Sequence, residues 1–170
     1  LAAFEAHYRT GPADLSLIGL PDDAGETIRF NLAIPGGLSF LVHDDFDRMV
    51  VGLDRFRLAD RPPVLLSFAS YHVMIGLGML FILLTVAAAF LHWRRRLFET
   101  RFMLWVFVFA VVGPVLGNEL GWVAAEVGRQ PWIVHPPVSW TEEGDLVVGP
   151  DGVVVYDESL GLRTADAVSP

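Results

Sequence analysis

The chain has 170 residues, 53% of them hydrophobic, no cysteine, and a formal net charge of −8. Its mean hydropathy of +0.47 is above that of an ordinary soluble domain and marks a membrane protein or part of one. The missing cysteines exclude disulfides, iron–sulfur clusters and thiolate chemistry, and outside one short loop the arginines form no basic patch that would suit nucleic acid.

Residues 1–63 hold ten acids and six arginines, 93–101 four arginines against one glutamate, and 129–170 seven acids and two arginines. The chain begins at Leu1 with no signal-peptide pattern, so it reads as a fragment that has lost its beginning. In residues 1–63 the apolar stretches Leu15–Leu20 and Ile28–Ile34 are cut short by Pro12, Pro21, Pro35 and Gly36-Gly37, too short to span a bilayer, and this places the segment outside the membrane. Its opening, Leu1 to Tyr8, predicts a helical turn with Glu5 exposed, for which the plain reading is a solvated side chain. His7 reads as a loop histidine, with proton transfer as the alternative. Asp44, Asp45 and Asp47 lack the glycine turn and later glutamate of a calcium loop and read as a solvated acidic run.

Residues 64–92 predict a first transmembrane helix. From Val64 to Leu91 there are 28 residues in which only His72 can carry charge, enough for about 42 Å of helix. Pro62-Pro63 stands at its start, where a missing donor is tolerated. Ser67, Ser70, Tyr71 and His72 cluster in its first third; Ser70 and Tyr71 share the face of Met74, and His72 lies about 200° round. Methionines at such positions are ordinarily packing, the reading given to Met79 and Met103. The connector 93–101 carries Arg94, Arg95, Arg96 and Arg101, which the positive-inside rule makes cytoplasmic, sending 1–63 and 129–170 to the outer face.

Residues 102–128 predict a second transmembrane helix, uncharged as far as residue 118 and bent at Pro114. Gly113, Gly117 and Gly121 recur every four residues, with Ala125 extending a small-residue line that lets a helix or a flat macrocycle approach. Glu119, Trp122, Glu126 and Arg129 follow at spacings of three, four and three, one polar stripe on a greasy helix. An acid inside a membrane normally faces a bundle interior, a cofactor or a water path. Glu119 reads equally as a proton-relay group or as a polar side chain hydrogen-bonded within the bundle. Beyond Trp132, residues 129–170 predict a loop and a hairpin, Leu146–Val148 and Val153–Tyr156, around a Gly-Pro-Asp-Gly turn.

The stretch GWVAAEVGRQPW at 121–132 resembles the signature of subunit I of cytochrome bd-type quinol oxidases, and FASYHVMIGLG at 68–78, LAAFEAHY at 1–8, VGLDRF at 51–56 and LRTADAVSP at 162–170 are similar to further parts of it. The resemblance implies an all-α membrane protein, two transmembrane helices of a larger haem-binding bundle, with an extramembrane quinol loop. The segment around 135–160 departs from that pattern and reads as a small hairpin insertion on the outer face. By resemblance Glu5 binds quinol, Met74 is an axial ligand of a low-spin haem b, and Glu126 ligates one of two high-spin haems, haem b with haem d or a further haem b. Trp122 then lies between haems, and Glu119 sits on the same stripe near the oxygen-reducing site. Tyr71 and His72 stand beside the Met74 haem, His72 where many members have arginine. Arg129 either keeps Glu126 ionised or holds a haem propionate. The implied enzyme is a multi-pass protein of the bacterial inner membrane that passes electrons from membrane quinol to dioxygen and contributes to a proton gradient. Its partners are subunit II, the remaining helices of subunit I and the lipid bilayer, and a final membrane helix is expected after Pro170. Two other classes stay open: a non-catalytic two-helix module, and a proton pathway without haem.

Overall fold

The computed structural model describes residues 1–142 and 146–167. In chain order the elements are β1 (Gly11–Pro12), β2 (Leu15–Asp22), β3 (Thr27–Ile34), α1 (Gly37–His43), β4 (Met49–Val50), α2 (Val64–Trp93), α3 (Arg101–Ala110), α4 (Val112–Gly128), β5 (Trp132–Val134), β6 (Leu162–Arg163) and α5 (Thr164–Ala167). Two spans, Leu58–Trp93 and Arg101–Gly128, are long and apolar enough to cross a membrane. The buried residues of α2 are Val64, Ser67, Phe68 and Ser70, all in its first two turns. Further along, Leu80, Ile82, Leu83 and Val86 are bare, as fits a helix whose surroundings are lipid or other helices.

α2 and α4 run antiparallel and meet where α4 lacks side chains. A Cβ on Gly113 would lie 2.4 Å from the Phe81 ring, and one on Gly121 would lie 2.7 Å from the Met74 Sδ, whereas Gly117 has nothing within 4 Å. The seam continues at Ala124, which is buried, and not at Ala125, which is exposed; this corrects the four-residue line drawn from the sequence. Steps of four drift about 40° each on a 3.6-residue helix, so Ala125 has turned about 120° away from Gly113 while Ala124 lies about 20° from it. The predicted single helix is divided at Val111, between α3 and α4. Pro114 has no N–H to offer the Ala110 carbonyl, which breaks the ladder there.

The polar segment is more ordered than a loop. Its two apolar stretches pair with each other as the β2–β3 hairpin, from Leu15 opposite Ile34 to Asp22 opposite Thr27, with two register irregularities. Asp22 and Arg29 form an ion pair that holds the Asp22 carboxyl below the usual range. One buried cluster, Ala3, Ala6, Tyr8, Leu53, Val64 and Phe68, fastens the opening turn to the start of α2, and another, Ala13, Leu38 and Val50, sits under α1. β1 pairs with β4, and β5 with β6, Trp132 opposite Arg163. The hairpin predicted at 146–156 reduces to isolated bridges, Trp140 to Leu146 and Val148 to Val154. Across the turn the Gly149 N–H donates to the Val153 carbonyl at 2.8 Å and the Val155 N–H to the Val147 carbonyl at 3.4 Å, while the outward-facing Val154 N–H donates to the Arg55 carbonyl at 2.8 Å. Gly144 of that predicted region, and Val168, Ser169 and Pro170 of the closing motif, lie outside the described residues.

Candidate functional site

Glu5 is buried, 4% exposed, which corrects the exposed turn expected from the sequence. The chain turns through a left-handed residue at Ala6, φ 48°, and the His7 N–H returns to the Ala2 carbonyl at 2.8 Å, so the turn closes against α2 and β2. Burial raises the Glu5 carboxyl above the ordinary glutamate range, with His72 and the Ser16 backbone pulling the other way. Its Oε2 has no hydrogen-bond partner among the described residues, and His72 Nε2 lies 3.9 Å away. Glu5 also lines a cavity of about 300 Å³ between the opening turn and the β2–β3 hairpin, shared with Tyr8, Asp14, Ser16, Glu26 and Asn31. A buried carboxyl with a free oxygen beside a cavity is suited to accept a hydroxyl hydrogen bond.

His72 is occupied in holding the parts together. Its Nε2 lies 2.7 Å from the Ser16 carbonyl of β2 and its Nδ1 3.0 Å from the Phe68 carbonyl one turn back. Both ring nitrogens face backbone oxygens, so neither is offered to a metal. Tyr71 stacks on Phe4, centroids 5.1 Å apart, and presents an edge to His72. His7 Nε2 lies 3.1 Å from the Val50 carbonyl, a structural contact. Asp44, Asp45 and Asp47 are exposed, and no group of three metal-binding side chains occurs among the described residues.

On the membrane-spanning pair, Met74 and Glu126 take different faces. The Met74 sulfur points into the seam at Gly121, whereas Glu119 and Trp122 look outward, Trp122 65% exposed. Glu126 is half-buried and paired with Arg129 one turn on. Glu126 lies five residues beyond Gly121, about 7.5 Å nearer the end of α4. Phe4 closes over that end, its ring 2.5 Å from where a Gly128 Cβ would stand. A larger cavity, about 590 Å³, opens there between Ala2, Arg48, Arg61, Arg129, Trp132 and Trp140. Trp132 is buried, and its Nε1–H has no partner among the described residues. Sequence reasoning passed over Trp132 as the end of a motif, and nothing in its neighbours signals the free donor.

The family described as "Cytochrome bd terminal oxidase subunit I" matches residues 1–170. The "Putative cytochrome bd menaquinol oxidase subunit I" of Bacillus subtilis (strain 168) is 35% identical over 139 residues, 79% of this chain and 31% of that protein. The "Cytochrome bd ubiquinol oxidase subunit 1" of the same organism is 28% identical over 132 residues, 72% of this chain and 28% of its own length. Among solved structures, the bd oxidase of Geobacillus thermodenitrificans superposes with a TM-score of 0.57 at 35% identity, over 78% of this chain and 31% of that one. The chain therefore spans about a third of the length of these relatives. With a match along its whole length and two apolar helices to carry it in a bilayer, the chain belongs to the cytochrome bd terminal oxidase subunit I family.

Proposed function

We propose that this chain is the part of a membrane terminal oxidase in which quinol is oxidised and from which electrons pass through haems to dioxygen. Two quinols supply four electrons and four protons, and one dioxygen takes up four of each to give two waters. In this reading Glu5 receives a quinol hydroxyl, Met74 and Glu126 are haem ligands, and Trp122 lies between haems. Arg129, with Trp132 near it, faces a propionate; Tyr71 and His72 fix the helix turn that bears Met74; Glu119 serves proton movement or bundle packing. The segments 1–63 and 129–170 face outward across a bacterial inner membrane, and subunit II and further helices of subunit I complete the bundle.

The donor set fits haem. A thioether and a carboxylate are both iron ligands, the bare backbone at Gly121 leaves the Met74 sulfur its space, and the Glu126 carboxylate is partly exposed. Haem supplies one-electron redox chemistry when bound; this chain's residues hold, space and orient it, and bind the quinol. The names of the two Bacillus relatives differ in their quinol, menaquinol in one and ubiquinol in the other, so the proposal is for a quinol without a chosen head group.

The observation that carries the reading is Glu5: buried, one oxygen unpartnered, beside a cavity, and one aromatic layer from the helix turn of Met74. The test is a reduced-minus-oxidised spectrum of the intact complex with quinol turnover. Met74→Leu should remove the low-spin haem signal alone and Glu126→Ala a high-spin signal. Glu5→Gln should lower kcat/KM for quinol by about 100-fold, as loss of a proton acceptor does. Haem spectra indifferent to both ligand substitutions would favour a two-helix module or a haem-free proton pathway.

A further inference from the structure

We propose that the excursion between β5 and β6, in its described residues 135–142 and 146–161, is a brace that positions the quinol-binding turn, with Arg55 and Tyr156 as its positioning residues. This rests on the reading of Glu5 given above.

Three strips of chain lie side by side. Residues 7–10, directly after Glu5, are held by residues 52–54: the Leu53 N–H donates to the His7 carbonyl and the Asp54 N–H to the Tyr8 carbonyl, both at 2.9 Å. The Thr10 N–H and hydroxyl both donate to Asp54 Oδ1, at 2.9 and 2.7 Å, and the Gly52 N–H donates to the Thr10 hydroxyl at 3.0 Å. On the far side of the middle strip sits the excursion. The Val154 N–H donates to the Arg55 carbonyl at 2.8 Å, and Val154 itself is 2% exposed. The Arg55 guanidinium spans all three strips, with Nε donating to the Thr10 hydroxyl at 3.3 Å and a terminal nitrogen to the Gly152 carbonyl at 3.1 Å.

A few residues on, the Asp60 carboxylate, 1% exposed, accepts from the Tyr156 hydroxyl and from Arg163 at 2.6 Å. Arg57 pairs with Glu158 at 2.7 Å and reaches over the Tyr156 ring. A loop merely resting on the surface would make exposed contacts. Here the contacts include a buried carboxylate with two donors and a buried valine whose N–H is spent on the middle strip, and Arg55 carries the linkage to within five residues of Glu5. The excursion and the Glu5 turn are therefore mechanically coupled through residues 52–60.

The experiment uses the whole oxidase carrying Arg55→Gln and Tyr156→Phe, singly and together. Quinol KM and kcat, oxygen affinity and the reduced-minus-oxidised spectrum are read on each. The double variant should raise quinol KM about three- to tenfold, as the loss of one or two ordinary hydrogen bonds implies, with kcat, oxygen affinity and spectrum as in the parent. An unchanged quinol KM in the double variant overturns the brace. So does a variant that loses its haem signals, because these residues would then support the fold and not the turn. A parent enzyme without haem bands or quinol turnover overturns the reading of Glu5 itself, before any variant is compared.

Discussion

The buried Glu5 carboxyl gives the outer segment one pH-dependent contribution to stability. A carboxyl raised by burial binds more protons folded than unfolded between its two pKa values, so its contribution to stability is complete below the unfolded value and is lost as pH rises through the raised one. The thermal unfolding temperature of the complex should fall with rising pH over that window, and Glu5→Gln should flatten the dependence; an identical slope in both proteins would show that another group titrates. A second expectation concerns Met74. Gly121→Ala places a methyl against its sulfur and should perturb the low-spin haem signal, whereas Gly117→Ala, with open space around it, should leave that signal alone and gain up to about 1 kcal/mol of helix stability. The sequence made Glu5 and Met74 visible as candidates, through the motifs around them. It hid their surroundings: Glu5 is buried because Ser16, His72 and the closed turn reach it from 2 to 67 residues away, and no local pattern encodes that.

The two long helices were legible because hydropathy over a span needs no partner to be read. An irregularity near Pro114 was legible too, since proline removes one donor whatever surrounds it, but it was read as a bend in one helix and not as the division at Val111. Pro114→Ala should let the ladder close: hydrogen exchange at residue 114 would show a protected amide, and an unprotected one would mean that neighbours and not proline impose the bend. The seam was misread by one residue, Ala125 for Ala124, because a four-residue repeat precesses around the helix. The β2–β3 hairpin was not legible. Leu17, Ile18, Leu20, Leu32 and Ile34 are all exposed, so neither strand shows the alternation that marks a half-buried one, and Pro21 argued for a break within what is a strand.

Across the whole molecule, segments distant in the chain depend on one buried acid. Asp60→Ala leaves the Tyr156 hydroxyl without its acceptor and Arg163 with only the longer contact to Glu158 at 3.4 Å, and should cost about 2 kcal/mol of outer-segment stability, seen as earlier thermal unfolding and faster tryptic cleavage in 1–63 and 146–167. Equal cleavage in parent and variant would deny Asp60 that role. On α4 the acids are less covered: Glu119 is exposed and Glu126 half-buried beside Arg129. A carboxylate facing hydrocarbon costs at least a few kcal/mol. Produced without the helices that would shield it, this pair should be a poor substrate for stable insertion and a good one for membrane quality-control proteases. The supply of the shielding segments, and not the lifetime of this one, should then set how much of it a cell retains.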